Sequence, residues 1–147
     1  MAEENFGFKN EEVMLPIIQS FFNDSTIYKL TNKYSLFDYR GADALYELKT
    51  RKCKRLTYTT TIFPTNKFKF EPNTKKILVF SFEDGNYYIE YNEAFNTFKK
   101  EVKKFRHDRG GQDKAVEYIH IPVERLLPLE DKFSYERAEP EPKKRDA

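Results

Sequence analysis

Tryptophan is absent from this sequence, cysteine occurs once and glycine five times in 147 residues. The single thiol, Cys53, excludes an internal disulfide framework and suits a reducing, intracellular compartment. No apolar run approaches the length of a membrane span, and the N-terminus lacks a secretory pattern, so no membrane partner is expected. There is no Gly-rich phosphate loop, no zinc-knuckle spacing and no internal repeat, which sets aside P-loop enzymes, zinc modules and solenoids. Charge of one sign is also missing in bulk. Against 26 Lys and Arg stand 24 Asp and Glu, a net charge of +2. Any nucleic-acid reading must therefore rest on local clusters. Neither histidine has a triad-like local context, so Cys53 reads as a bystander in a basic loop.

What is present is an aromatic core supply, 14 Phe and 10 Tyr, in a length that suits one domain. The division expected is a leader over 1–8, a domain over 9–133 and a charged, proline-bearing tail over 134–147 that lacks periodicity and should be disordered. Asn10 can cap a first helix with Glu11 and Glu12 in its first turn and a buried stripe of Met14, Ile17, Ile18, Phe21 and Phe22; Pro16 is awkward inside it. A strand over 26–31 follows, then a hairpin. Pro64 suits the first turn of a short helix carrying Lys67. Asp84-Gly85 marks a second hairpin, with strands over 76–82 and 86–91. Asn92 is expected to cap a second long helix with Phe95, Phe98, Val102 and Phe105 on its core face and Lys99, Lys100, Lys103 and Lys104 outside. The stretch 106–113 reads as a loop, and 116–121 as a last strand on which His120 is packed. His107 and Asp108 lack a third spaced ligand and read as surface loop. This order argues for an α/β or α+β fold with a single mixed β-sheet flanked by helices.

The chain is organised around the stretch Ser35–Arg51, which reads as two strands joined at Gly41-Ala42. With the turn centred there, Asp38 pairs with Leu45. Leu45 shares its face with Glu47 and Lys49, because strand side chains repeat with a period of two. Asp38, Glu47 and Lys49 then meet on one side of the sheet. Oxygen ligands for a hard divalent cation beside a positive group are what phosphodiester hydrolysis requires. Glu-x-Lys recurs at 101–103, 130–132 and 141–143, but no copy follows an Asp-bearing hairpin strand. Asp43, at the hairpin tip, is a poor metal candidate.

The pairing of Phe37-Asp38-Tyr39 with Glu47-Leu48-Lys49 resembles the PD-(D/E)xK nuclease superfamily, with Phe37 where the family's proline would stand. The string Tyr46–Arg51 resembles small stand-alone members from large DNA viruses. The resemblance runs from about Asn10 to Lys67. It implies a restriction-endonuclease-like core and a Mg²⁺-dependent DNA endonuclease, with Mn²⁺ as a substitute ion. A viral member would work in the cytoplasm or nucleus of a host cell. Asp38 and Glu47 would hold the metal with the carbonyl of Leu48. Glu11, or alternatively Glu12, would supply the helix carboxylate, and Lys49 would orient or deprotonate the attacking water. A homodimer is one route to two-strand cuts.

The basic run Arg51-Lys52-Cys53-Lys54-Arg55 follows the triplet at once and can position a nucleic-acid backbone. Tyr58 can stack on an unpaired base, and Lys67 can contact phosphate. Two other functions fit parts of this pattern. One is a nucleic-acid-binding module that uses 51–55 without cutting. The other is a structural or interaction protein with a charged strand face.

Overall fold

In the computed structural model, the described residues are 2–32, 34–106 and 113–129, with backbone alone described for 2–9, 105, 106, 113 and 114. The fold is α+β. A six-stranded mixed sheet carries one α-helix on one face and a three-stranded antiparallel sheet on the other.

Helix α1 spans Ala2–Phe21 and so begins ahead of the expected cap at Asn10. The Asn10 side chain instead donates to Thr50 Oγ1 at 3.0 Å. The helix runs through Pro16, which is exposed, while Met14, Ile17 and Ile18 are buried. It stops at Asn23, whose φ of 54° is the left-handed conformation asparagine tolerates. The N–H groups of Asn23 and Asp24 donate to the carbonyls of Ser20 and Gln19, closing the helix end.

The large sheet is ordered β1 (Tyr28–Lys29), β2 (Tyr39–Arg40), β3 (Ala44–Thr50), β5 (Lys75–Phe82), β6 (Gly85–Glu90) and β9 (Leu127–Pro128). The contact of β3 with β5 is parallel and all others are antiparallel. Alternation sorts the central strands. Ala44, Tyr46, Leu48, Ile77 and Val79 pack with Met14, Ile17 and Ile18 of α1. Leu78, Phe80 and Phe82 face the other way, into an aromatic core with Phe63, Phe68, Phe95, Ile119 and Ile121. That second core lies under the small sheet, ordered β4 (Thr60–Pro64), β8 (Asp113–Pro122) and β7 (Lys100–Arg106). The link from β3 to β5 therefore passes over the large sheet, and 3₁₀ turns at Arg55–Thr57 and Thr65–Lys69 bracket β4.

Two expectations need correction. The second long helix is absent: Asn92 accepts from Ala94 N–H, but it caps only a 3₁₀ turn over Glu93–Thr97. Residues 100–106 then form β7, paired with β8 from Lys100↔Ile119 to Arg106↔Asp113. The spacing of Phe95, Phe98 and Val102 mimics a helical stripe. Only Phe95 and Phe98 are buried, however, and Val102 is exposed. Ladder pairing with β8 outweighs the weak helical preference of this segment. The second correction is of register. Leu45 faces Arg40, not Asp38, and Tyr46 faces Tyr39. The slip is two residues, so every side chain keeps its expected face. The expected ligand-poor pair His107 and Asp108 and the tail 134–147 lie outside the described residues.

The hairpin tip is held by Asp24, whose Oδ2 accepts from Ala42 N–H at 2.9 Å. A Cβ on Gly41 would lie 2.7 Å from that same oxygen and 2.8 Å from Cγ1 of the buried Ile27. Gly41→Ala is therefore expected to destabilise the fold by about 1–3 kcal/mol through overpacking. The check is a urea titration, in which the midpoint should fall with the slope unchanged; a parent-like midpoint would show that the hairpin tip has room to shift.

Candidate active site

Asp38 stands one residue before β2, at the point where the β2–β3 ladder gives way to side-chain bonding. Its N–H donates to the Tyr46 carbonyl at 2.9 Å, and its Oδ2 accepts from Leu48 N–H at 2.8 Å. Glu47 lies on β3 and is only 3% exposed. Such a buried carboxylate needs cations close by. Two arrive on the same oxygen: Lys67 Nζ at 2.8 Å and Lys49 Nζ at 3.3 Å from Oε2. Both ammonium groups also sit over the Phe63 ring, at 5.9 and 5.8 Å from its centroid. The aromatic face supports the lysines from below while the carboxylate holds them in place.

Burial governs the protonation of both acids. It pushes the Asp38 carboxyl up from 3.8 to about 6; the Leu48 hydrogen bond, Lys67 and Lys49 oppose the rise, and Glu11 adds to it. Glu47 is likewise raised, first by burial and then by Asp38, with Lys49 and Lys67 pulling it down. Asp38 acts on Glu47, and Lys49 and Lys67 act on both, so the two acids share one electrostatic neighbourhood.

The helix supplies Glu11. Its carbonyl accepts from the hydroxyl of the buried Tyr39 at 2.5 Å, and its carboxylate lies 3.7 Å from Lys29 Nζ. Glu11 raises the pKa of Asp38 and of Tyr39, whereas Glu12 is exposed. Of the two helix acids, Glu11 is therefore the one brought toward the strand pair. Asp43 is exposed at the hairpin tip.

The basic run divides. Lys52 and Lys54 are exposed. Arg51 is anchored: its Nε donates to Thr61 Oγ1 at 3.2 Å and its Nη2 to the Ile62 carbonyl at 2.7 Å. Arg55 donates through Nη1 to the Val123 carbonyl at 3.2 Å, and its guanidinium lies 4.9 Å from the Tyr87 ring centroid. These two arginines clamp the loop to the small sheet and to β6, in addition to any role toward a ligand. Tyr58 is 66% exposed. Lys67 was expected as a phosphate contact. Its place on Glu47 has no local sequence signal, because 20 residues separate the partners and only the path of the β3–β5 link joins them. Sequence reasoning also missed a polar chain on the small sheet: Thr60 Oγ1 lies 3.2 Å from His120 Nδ1, and His120 Nε2 lies 2.8 Å from Glu101 Oε1. This network engages both ring nitrogens of His120 and holds β4, β8 and β7 together.

Among the described residues, no three His, Cys, Asp or Glu side chains converge as a metal-holding group. The donor set nevertheless fits a small hard cation. It is all oxygen, both acids are raised by burial, Asp38 further raises Glu47, and Mg²⁺ commonly binds through one or two carboxylates while keeping its waters.

Asp38 gives a stability test. The unfolded chain releases this proton near 3.8 and the folded chain near 6. Between those values the folded state binds more protons, so stability falls as pH rises through the window. Asp38→Asn removes the buried charge and should stabilise the protein at neutral pH by about 1–3 kcal/mol. It should also flatten the pH dependence between about 4 and 6. Urea midpoints across this range decide it; a variant weaker than the parent at neutral pH would mean that the Asp38 anion is a net stabiliser.

Comparison with known proteins leaves the reading to this geometry: no family model matches the chain, nor does any curated protein or any solved structure.

Proposed function

We propose that the protein is a metal-dependent DNA endonuclease that hydrolyses phosphodiester bonds at the Asp38–Glu47–Lys49 cluster, as the resemblance to the PD-(D/E)xK superfamily implies. The observation that carries the proposal is the placement of the half-buried Asp38, just before β2, and the buried Glu47 of β3 in one neighbourhood, with a lysine two residues after the second. Asp38 and Glu47 would hold Mg²⁺, with the Leu48 carbonyl as a further oxygen donor and Glu11 near enough electrostatically to steer a water. When bound there, the ion would supply Lewis-acid polarisation of the phosphoryl oxygen and a more acidic water. The chain's own groups do the rest. Glu47 restrains Lys49 so that its ammonium faces the place where negative charge grows on phosphorus. Lys67 offers a second positive charge to the same oxygens or to the leaving group. Phe63 beneath both ammonium groups limits the water that would screen them.

A second reading has its own support. Lys49 and Lys67 already compensate Glu47, and Lys29 lies by Glu11, so the cluster is close to neutral without any ion. On that reading it is an internal ion-pair network, and 51–55 serves at most as a binding loop.

Lys49→Ala distinguishes the two. In the enzyme, the variant should retain fold, Mg²⁺ binding and most DNA affinity, since the carboxylates hold the ion and many phosphate contacts hold DNA. Plasmid nicking should fall by about 10²–10³, the usual effect of removing one well-placed electrostatic group. Lys49→Arg should not restore it, because a guanidinium fork does not fit a point-charge site. Nicking assays run beside metal titration give the answer. Parent-like cutting by Lys49→Ala, or no Mg²⁺-dependent nicking by the parent, favours the structural network.

A further inference from the structure

Past the end of β3 at Thr50 the chain stays beside β5. The Arg51 N–H donates to the Ser81 carbonyl at 2.8 Å; the backbone then bends at Lys52 and Cys53, and the Cys53 carbonyl accepts from the Glu83 N–H at 2.9 Å. Arg51 lies on the same face as Glu47 and Lys49, since its guanidinium reaches Thr61 and Ile62 of the small sheet and sits 5.7 Å from the Phe80 ring centroid. There the face opens into a groove of ≈ 480 Å³, a size usual for small-ligand sites. Phe82 and Val123 give it an apolar floor; Arg51, Arg55, Tyr58 and Thr60 line its walls.

We propose that this groove seats one unpaired nucleotide of a polynucleotide strand that runs on to the Glu47–Lys49 cluster, which makes single-stranded or branched nucleic acid the substrate class. The proposal rests on the nuclease reading for its second half only. Three features identify the occupant. The exposed Tyr58 ring offers a stacking surface of the kind single-strand binders use, with the buried Phe82 and Val123 closing the groove beneath it, and stacking accepts any base. Arg51 and Arg55 are oriented by their bonds to Thr61, Ile62 and Val123. Each guanidinium has five N–H donors, and the bonds to Thr61 and Ile62 engage only two of those on Arg51, which suits a phosphate at the rim. A base within a duplex is covered on both faces by its neighbours and cannot stack on Tyr58 unless it leaves the stack.

The test measures binding by the full chain in EDTA, where metal-dependent cleavage cannot intervene. The probes are a short labelled oligothymidylate, a blunt duplex of similar length and free thymidine monophosphate. The strand should bind at least about tenfold tighter than either of the others. Tyr58→Ala should weaken strand binding by about 5- to 150-fold, the range for loss of one stacked base, and duplex binding by less than about twofold. Tyr58→Phe should behave as the parent. Tyr58 is exposed, so melting curves will confirm that both variants fold. The proposal is overturned if Tyr58→Ala leaves strand affinity unchanged, if strand and duplex lose equally, or if the mononucleotide binds as tightly as the strand. Failure of the two readings separates cleanly. Selective strand binding without Mg²⁺-dependent nicking keeps the groove and removes the nuclease; nicking with an inert Tyr58→Ala does the reverse.

Discussion

A carboxylate buried at the centre of a sheet is the constraint on which this arrangement depends. Glu47 sits on β3, and β3 lies between β2 and β5, so its side chain cannot reach water by moving along the sheet. Left alone there, its charge would be very costly. Lys49 supplies one cation from the same strand, two residues on. Lys67 supplies the other from the link to β5, and that link must cross the sheet face to deliver it. The same crossing places β4 where β8 can pair with it, and seats Phe63 and Phe68 in the aromatic core. One ion-pair cluster thus stands where the two sheets and the irregular link between them come together.

The opposite face shows how the helix is drawn into the same neighbourhood. Tyr39 is fully buried beside Tyr46, and its hydroxyl needs an acceptor there. It finds the Glu11 carbonyl, which fixes one turn of α1 near the end of the hairpin. Asn10 bonds Thr50 from the same turn. The Glu11 carboxylate is then close enough to disfavour ionisation of Asp38. Acidic groups from three separate segments act on one another, and nearby lysines offset them. Such a balance can be tipped by an incoming cation or phosphate, which is why this cluster stands out from the other charged surfaces of the chain.

Several loop residues combine fold and function in a way a linear reading divides. Arg51 looks like a free loop cation in the sequence, yet its two protein bonds hold the end of β3 to β4. The outcome is a guanidinium already oriented along a groove wall. Lys76 makes a related point on β5. Only 1% exposed, it donates to the carbonyls of Glu71 and Thr74, so a buried ammonium serves as the fastener of a turn. A residue's charge alone says little about whether it meets solvent, a partner or the chain itself.

Much of this was legible in the residues because it depends on local pattern. The Asp84-Gly85 hairpin, the apolar stripe of α1, the flanking strands and the shared face of Asp38, Glu47 and Lys49 all follow from periodicity and turn chemistry. The face survived a two-residue error in register because an even slip preserves parity. Other features needed the assembled fold. Residues 100–106 carry a spacing compatible with a helix, and only ladder pairing with β8 made them a strand. Lys67 came to Glu47 from 20 residues away, and Thr60, His120 and Glu101 met across three strands. The sequence by itself determined which side chains share a face, since covalent geometry fixes the alternation of a strand. Only the tertiary structure decided which distant charges neutralise one another, since that depends on the path of the connections and on which carboxylates the packing shuts away from water.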